Sequence, residues 1–254
     1  MENVNGEQIE LLSPIRLFTQ IESVLNEVGA EAFFRSPDER VKSAREGMAI
    51  LFYVGNLTKG SKKFWWVLQA KPGQFPDFHM FMVDENPFSF SYEGIELVEV
   101  PPHIDTYEKA LSIVNNKIFN KGYSPGYSLL IFMNNLNSTQ WLPQLHRDIK
   151  STGPFKGISS VHLLTKPGEA DIQTIVLNKL RPEPIESLAV PLSNMLINLP
   201  DIPKSLFEDV MYKGERAVRL KPKLTKEMTR FFKAGVIRNR AERRGVEREA
   251  GRGN

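Results

Sequence analysis

The sequence predicts an α/β fold of the mixed α+β kind, with a central mixed β-sheet flanked by helices. Three observations carry this expectation. Segments with helical apolar spacing alternate with short apolar runs of strand length across residues 13–182. A strand, a helix and a second strand follow one another between Ile95 and Met133, and such a unit calls for parallel pairing, because parallel strands need a long crossover. Ahead of it, aromatic and apolar runs separated by turn residues read as an antiparallel meander, which makes the sheet mixed.

Ser13-Pro14 opens the first helix, with serine as N-cap and proline as the first helical residue. Ile15, Phe18, Ile21, Val24, Leu25 and Val28 then recur near the helical period, and Gly29 ends the run. Ser36-Pro37-Asp38-Glu39 opens a second helix in the same way, running through Glu46 to about Leu57. Strands are expected over Lys63–Ala70, Phe78–Val83 and Ile95–Val100, the last stopped by Pro101-Pro102, with Asn86-Pro87 and Tyr92–Gly94 as turn residues. Thr106–Asn120 reads as a helix with Ala110, Leu111, Val114 and Ile118 on one face. Tyr127–Met133 is an almost unbroken apolar run, as expected of a strand buried on both faces. A short helix over Leu142–Ser151 and strands over Ser160–Thr165 and Ile172–Leu177 complete the core, residues 13–182.

Beyond Pro182 the prolines at 182, 184, 191, 200 and 203 predict an extended Pro-rich arm over residues 183–237, with short helices at Ser205–Tyr212 and Thr225–Val236. Residues 238–254, rich in Arg, Glu and Gly, are expected to be a basic disordered tail. Charge divides the chain in the same place. Met211–Asn254 holds 14 Lys and Arg against 5 Glu and no Asp, whereas the preceding residues carry a net charge of −6. Such asymmetry points to an anionic partner, and nucleic acid bound through the basic C-terminal tail is the expectation; a solvated, solubilising tail is the alternative.

Composition excludes several classes. There is no cysteine, so disulfides, thiolate metal sites and cysteine nucleophiles are absent. Residues 1–10 are polar and acidic, without the basic-then-apolar pattern of a signal peptide, and no apolar run approaches the ~20 residues of a membrane helix; a soluble cytoplasmic protein is therefore expected. Neither phosphate-loop nor dinucleotide-binding glycine patterns occur, and no G-x-S-x-G elbow occurs either. The four histidines, His79, His103, His146 and His162, have no metal-site spacing; His162 reads as a hydrogen-bonded core residue, and His79 shares a strand face with Asp77. Trp65 and Trp66 are adjacent on a strand and so face opposite ways, which makes core packing the expected role of at least one of them.

One arrangement stands out. Pro76-Asp77-Phe78 leads into a strand, Ile95-Glu96-Leu97-Val98-Glu99-Val100 follows, and a helix bearing Lys117, with Lys121 just past its end, precedes the buried strand YSLLIFM. This layout resembles the restriction-endonuclease-like superfamily, the PD-(D/E)xK nucleases, over roughly residues 37–180. The resemblance implies a restriction-endonuclease-like core, with Pro76-Asp77 and Glu99 as motif residues and Glu46 in the place of a helical glutamate. It implies Mg²⁺ as cofactor, with Asp77 and Glu99 as metal ligands and Glu46 as an auxiliary one. The chemistry matches these residue types: Mg²⁺ takes oxygen ligands and neutralises charge developing on a phosphate. The motif lysine is displaced. Residues two apart share a strand face, and two beyond Glu99 stands Pro101, while two beyond Glu96 stands Val98. Some members of the superfamily carry the basic group on the following helix, the place of Lys117 and Lys121 here. Gln69-Ala70-Lys71 resembles a Gln-x-Lys variant but precedes Pro-Asp, against the family order. Three functional readings remain: a Mg²⁺-dependent nuclease, a non-catalytic nucleic-acid-binding member of the fold, and a protein–protein interaction module of a larger assembly. The absent lysine after Glu99 weighs toward the last two.

Overall fold

The computed structural model of the chain describes residues 12–57, 64–69, 76–85, 88–119, 127–134, 138–151, 158–165, 174–181, 186–191, 204–212, 215–227 and 229–230. Seven strands form one sheet whose spatial order is the chain order: β1 (Phe64–Gln69), β2 (Phe78–Glu85), β3 (Phe88–Val100), β4 (Tyr127–Met133), β5 (Ile158–Thr165), β6 (Thr174–Arg181) and β7 (Glu186–Pro191). Strands β1, β2 and β3 pair antiparallel, β3, β4 and β5 parallel, and β5, β6 and β7 antiparallel. The sheet is thus mixed, and the two parallel connections carry α4 (Tyr107–Phe119) and α5 (Ser138–Ser151). Strand β4, parallel-paired on both sides, is buried at all seven positions.

Three helices precede the sheet: α1 (Pro14–Val28), α2 (Ala30–Arg35) and α3 (Glu39–Leu57). Helix α1 starts as expected, with the Ser13 hydroxyl accepting from the Arg16 amide at 3.3 Å. It stops at Gly29, whose φ of 79° and ψ of 160° suit glycine alone. The buried stripe of α1 is Leu17, Ile21 and Val24, and Ile15 is 45% exposed. Leu17 gains its place because Gly47 on α3 offers no side chain there; a Cβ at 47 would stand 3.1 Å from Leu17 Cδ1. The cap of α3 is Asp38 rather than Ser36. Its carboxylate accepts from the Arg40 and Val41 amides, while the Ser36 hydroxyl only turns the chain ahead of it.

Alternation along the strands divides the core between two faces. On one face Val67, Met80, Ile95, Leu130 and Leu164 pack beneath α1, α2 and α3. On the other, Val98, Val100, Leu129, Ile131 and Leu163 pack against Tyr107, Ala110, Val114 and Leu145 of α4 and α5. Further along this second face Trp66, Phe81 and Val83 meet Leu206 and Leu224. Trp65 and Trp66 do face opposite ways, and both are buried.

Three expectations change. Tyr92–Gly94 is not a turn but the middle of β3, paired with β2 through Phe81↔Tyr92 and His79↔Gly94. The glycine is needed because the Tyr127 ring lies where its Cβ would be, with Pro76 Cγ 2.9 Å from the same point. Residues 186–191, inside the segment expected as an arm, form β7 on the sheet edge. Ser205–Tyr212 is not a helix: a 3₁₀ turn at Lys204–Leu206 leads into β8 (Phe207–Tyr212), which pairs antiparallel with β9 (Glu215–Leu220). Its apolar spacing suits a helix, but pairing with 215–220 satisfies the backbone and lets Leu206 close over Trp66 and Phe81. Of the expected Thr225–Val236 helix, residues 225–227 and 229–230 are helical, the run beginning at 222, and the rest lies outside the described residues, as does the tail over 238–254.

A buried polar chain crosses the face under α3. Tyr53 donates to Glu93 Oε1 at 3.0 Å, Ser128 bonds the same oxygen, and Ser128, Ser160 and His162 Nε2 follow at 2.6 and 3.0 Å. Burial pushes His162 down to about 4 and raises Glu93, so this histidine is neutral at ordinary pH, a core residue as its apolar strand implies.

Candidate active site

The ladder between β2 and β3 ends at Phe78↔Ile95, and that between β1 and β2 ends at Gln69↔Phe78. Among the described residues, strand β3 continues to Val100 with only β4 beside it. The sheet therefore opens as a fork just before Phe78, and Asp77 stands at its apex. Counting one step past the last pair puts Asp77 opposite Glu96 on the same face. Their side chains carry on where the ladder stops. The Asp77 amide donates to Glu96 Oε2 at 3.3 Å, and Asp77 Oδ2 accepts from the Leu97 amide at 2.9 Å. Pro76, packed where Gly94 leaves room, fixes the approach of the chain to this point.

Lys117 completes the cluster from α4. It lies one helical turn beyond Val114, on the stripe that Ala110 and Val114 bury against the sheet. Its ammonium is 3.0 Å from Asp77 Oδ2 and 2.7 Å from Glu96 Oε1. Burial alone would lower the lysine, but the two carboxylates outweigh it and hold the group well above the usual lysine range, so it stays an ammonium. Glu96 is almost fully enclosed, whereas Lys117 and Asp77 remain about a quarter exposed, with side-chain values of 24% and 29%.

Glu46 approaches the fork from α3. Its carboxyl is pushed up to about 7, chiefly by burial; Lys42 opposes this, Asp77 and Glu99 reinforce it, and Lys117 opposes it. Glu46 thus feels both carboxylates and the lysine, and titrates near neutrality. Glu99 has a different setting. Odd spacing from Glu96 turns it to the α3 face, where Arg45 holds it with Nε at 2.9 Å from Oε1 and Asn134 donates to the same oxygen at 2.8 Å. The other guanidinium nitrogens reach the Phe33 and Ser36 carbonyls at 2.8 and 2.9 Å and Glu99 Oε2 at 3.3 Å.

Of the residues singled out in the sequence, the structure brings Asp77 and Lys117 into direct contact, places Glu46 within their electrostatic reach, and ties Glu99 to Arg45. Lys121 lies outside the described residues. Glu96 is the member that sequence reasoning passed over, for want of a lysine two residues on. The register holds a signal for it: Glu85 pairs with Phe88, and counting down that hairpin sets Asp77 opposite Glu96. His79 shares the face of Asp77 but bonds Tyr92 through Nδ1 at 2.8 Å, and burial lowers it to about 4.

The donor set is all carboxylate oxygen, the chemistry that hard divalent cations take. Among the described residues no three Asp, Glu or His side chains are gathered as a ready metal cage; Asp77 and Glu96 converge on a cation that the protein itself supplies. Two carboxylates are the ligand type that a divalent cation takes, and the Lys117 ammonium stands between them. No protein-family model, curated protein or solved structure matches the chain. No helix among the described residues is long and apolar enough to cross a membrane.

Proposed function

We propose that the chain is a Mg²⁺-dependent phosphodiesterase acting on nucleic acid, built on a restriction-endonuclease-like core with its lysine moved to the following helix. The observation that carries this reading is the contact of Asp77, Glu96 and Lys117 at the fork of β2 and β3. The order helix, three antiparallel strands, helix and parallel strand, running from α3 to β4, supports it as well. In this reading Asp77 and Glu96 hold the cation, rather than Asp77 and Glu99. Mg²⁺, when bound, supplies neutralisation of the charge that develops on a phosphate. Lys117 orients water or a phosphate oxygen beside the carboxylates. Glu46, titrating near 7, is suited to take a proton at neutral pH. Glu99 is a framework residue, held by Arg45 and Asn134.

The basic excess of Met211–Asn254 supports an anionic partner, with affinity that falls as salt rises. The test is cleavage of labelled single-stranded DNA, duplex DNA and RNA with Mg²⁺ or Mn²⁺, against a chelator control. Asp77→Asn and Glu96→Gln are each expected to slow cleavage at least ~100-fold, the scale of losing a group that stabilises transition-state charge. Cleavage unchanged in both variants sinks the assignment. Salt-sensitive binding of nucleic acid with no cleavage at all favours the second reading, a non-catalytic binding member, for which the lysine lodged between the two carboxylates already speaks.

A further inference from the structure

We propose that Lys117 is a built-in counter-cation that closes the site: its ammonium fills the place of a divalent cation between Asp77 and Glu96, and a metal is held only when the lysine is displaced. The inference rests on the metal-site reading above and adds a regulatory step to it. At 2.7 and 3.0 Å the ammonium makes direct ion pairs with both carboxylates at once, so metal and ammonium compete for the same oxygens. Glu96 explains why a resident cation is needed. With 1% of its side chain exposed, its carboxylate cannot turn to water for compensation, and an unpaired buried charge is strongly unfavourable. Lys117 explains how the closure is released. Its side chain is 24% exposed, on a long flexible stem, and it leaves α4 within the last turn of that helix, so the ammonium can swing toward solvent without unpacking Ala110 or Val114.

The contact on the other face of β3 shows what a permanent pairing looks like. Arg45 holds Glu99 through two nitrogens while also bonding two backbone carbonyls, and both side chains are under a tenth exposed. Lys117 has a single charged nitrogen that anything with higher charge density can replace. Displacement also moves the lysine from the carboxylates to the mouth of the fork, where a substrate phosphate would meet it. The same side chain thus offsets part of the carboxylate charge in the empty site and adds a positive charge beside the loaded one.

The experiment measures Mn²⁺ binding by calorimetry, and thermal unfolding with and without Mg²⁺, on the whole chain and on Lys117→Met, Lys117→Arg and Asp77→Asn. Lys117→Met is expected to bind Mn²⁺ about tenfold tighter than the wild type, because no ion pair must be broken first. Its melting temperature is expected to rise more on adding Mg²⁺ than that of the wild type. Lys117→Arg, whose guanidinium can grip both carboxylates at once, is expected to bind Mn²⁺ more weakly than the wild type, and Asp77→Asn to lose binding. If Lys117→Met unfolds in chelator, recovery of its circular dichroism on adding Mn²⁺ is the same positive result, and no recovery overturns the proposal. Wild-type binding with equal or weaker binding by Lys117→Met overturns the lysine closure while leaving the metal site standing. Absence of binding in both the wild type and Lys117→Met removes the metal reading and this inference together.

Discussion

Two ionic clusters flank β3, three residues apart and on opposite faces: Glu96 with Asp77 and Lys117, and Glu99 with Arg45 and Asn134. The first joins two carboxylates to one ammonium and is open to solvent at Asp77 and Lys117. The second joins one carboxylate to a guanidinium and an amide that also satisfy the carbonyls of Phe33, Phe34 and Ser36, around the end of α2. Strand parity alone separates them, so two glutamates in one hexapeptide serve different ends. The Arg45 cluster joins α2, α3, β3 and the residue after β4, and its guanidinium is divided between a carboxylate and two backbone carbonyls. The Lys117 cluster leaves its charges exchangeable. The cation exchange proposed above needs the Lys117 design, and the α2–α3 layer that holds Glu46 beside it needs the Arg45 design.

The largest expected effect breaks the framework side. Arg45→Ala leaves Glu99 buried without its cation and strips two carbonyls of their donor, so a loss of ~3–5 kcal/mol is expected in urea unfolding. A loss below ~1 kcal/mol, the scale of a surface pair, would erase the distinction between the clusters. On the exchangeable side Lys117→Gln is expected to cost somewhat less, roughly 2–3 kcal/mol in chelator: Glu96 stays buried without the ammonium, but Asp77 is part-exposed and Glu96 keeps the Asp77 amide. Equal losses in the two variants, measured under the same conditions, would show that both clusters are structural.

Much of this arrangement is legible in the amino-acid sequence. The buried run Tyr127–Met133 and the crossover before it gave the parallel pairing, and Pro76-Asp77 marked the apex of the fork. What was misplaced turned on register and partners. Reading Tyr92–Gly94 as a turn hid the length of β3, and with it the count that sets Asp77 opposite Glu96. The glycine there answers to the Tyr127 ring, a neighbour more than thirty residues away that no local pattern announces. Glu99 stands out in the sequence through the family resemblance alone, and its partner Arg45 comes from a helix 54 residues earlier, a pairing no local pattern announces. The β8–β9 hairpin was missed for a related reason: Leu206, Phe207, Val210 and Met211 fit a helix as well as a strand, and only pairing with Glu215–Leu220 decides between them. Lys117, in contrast, shares the apolar stripe of α4 with Ala110 and Val114, and a lysine on such a stripe is placed to reach inward.

The smallest effect sharpens the comparison through pH, because Glu46 lies between the two clusters and senses both. Its carboxyl is raised to about 7, first by burial and then by Asp77 and Glu99, against an ordinary value of 4.5. A group raised in the folded state favours folding most when protonated. Its contribution is therefore fully present below about 4.5 and is lost as pH rises through about 7. Glu46→Gln, which stays neutral, is expected to match the wild type near pH 4 and to exceed it by ~1–2 kcal/mol at pH 8, a figure discounted for partial exposure. Urea unfolding of both proteins across that range checks the sign. Adding Mg²⁺ at pH 8 is expected to shrink the gap, since a cation at Asp77 and Glu96 relieves the repulsion that Glu46 feels from Asp77. A gap that ignores Mg²⁺ would mean that burial and Glu99, and not Asp77, govern the charge on Glu46.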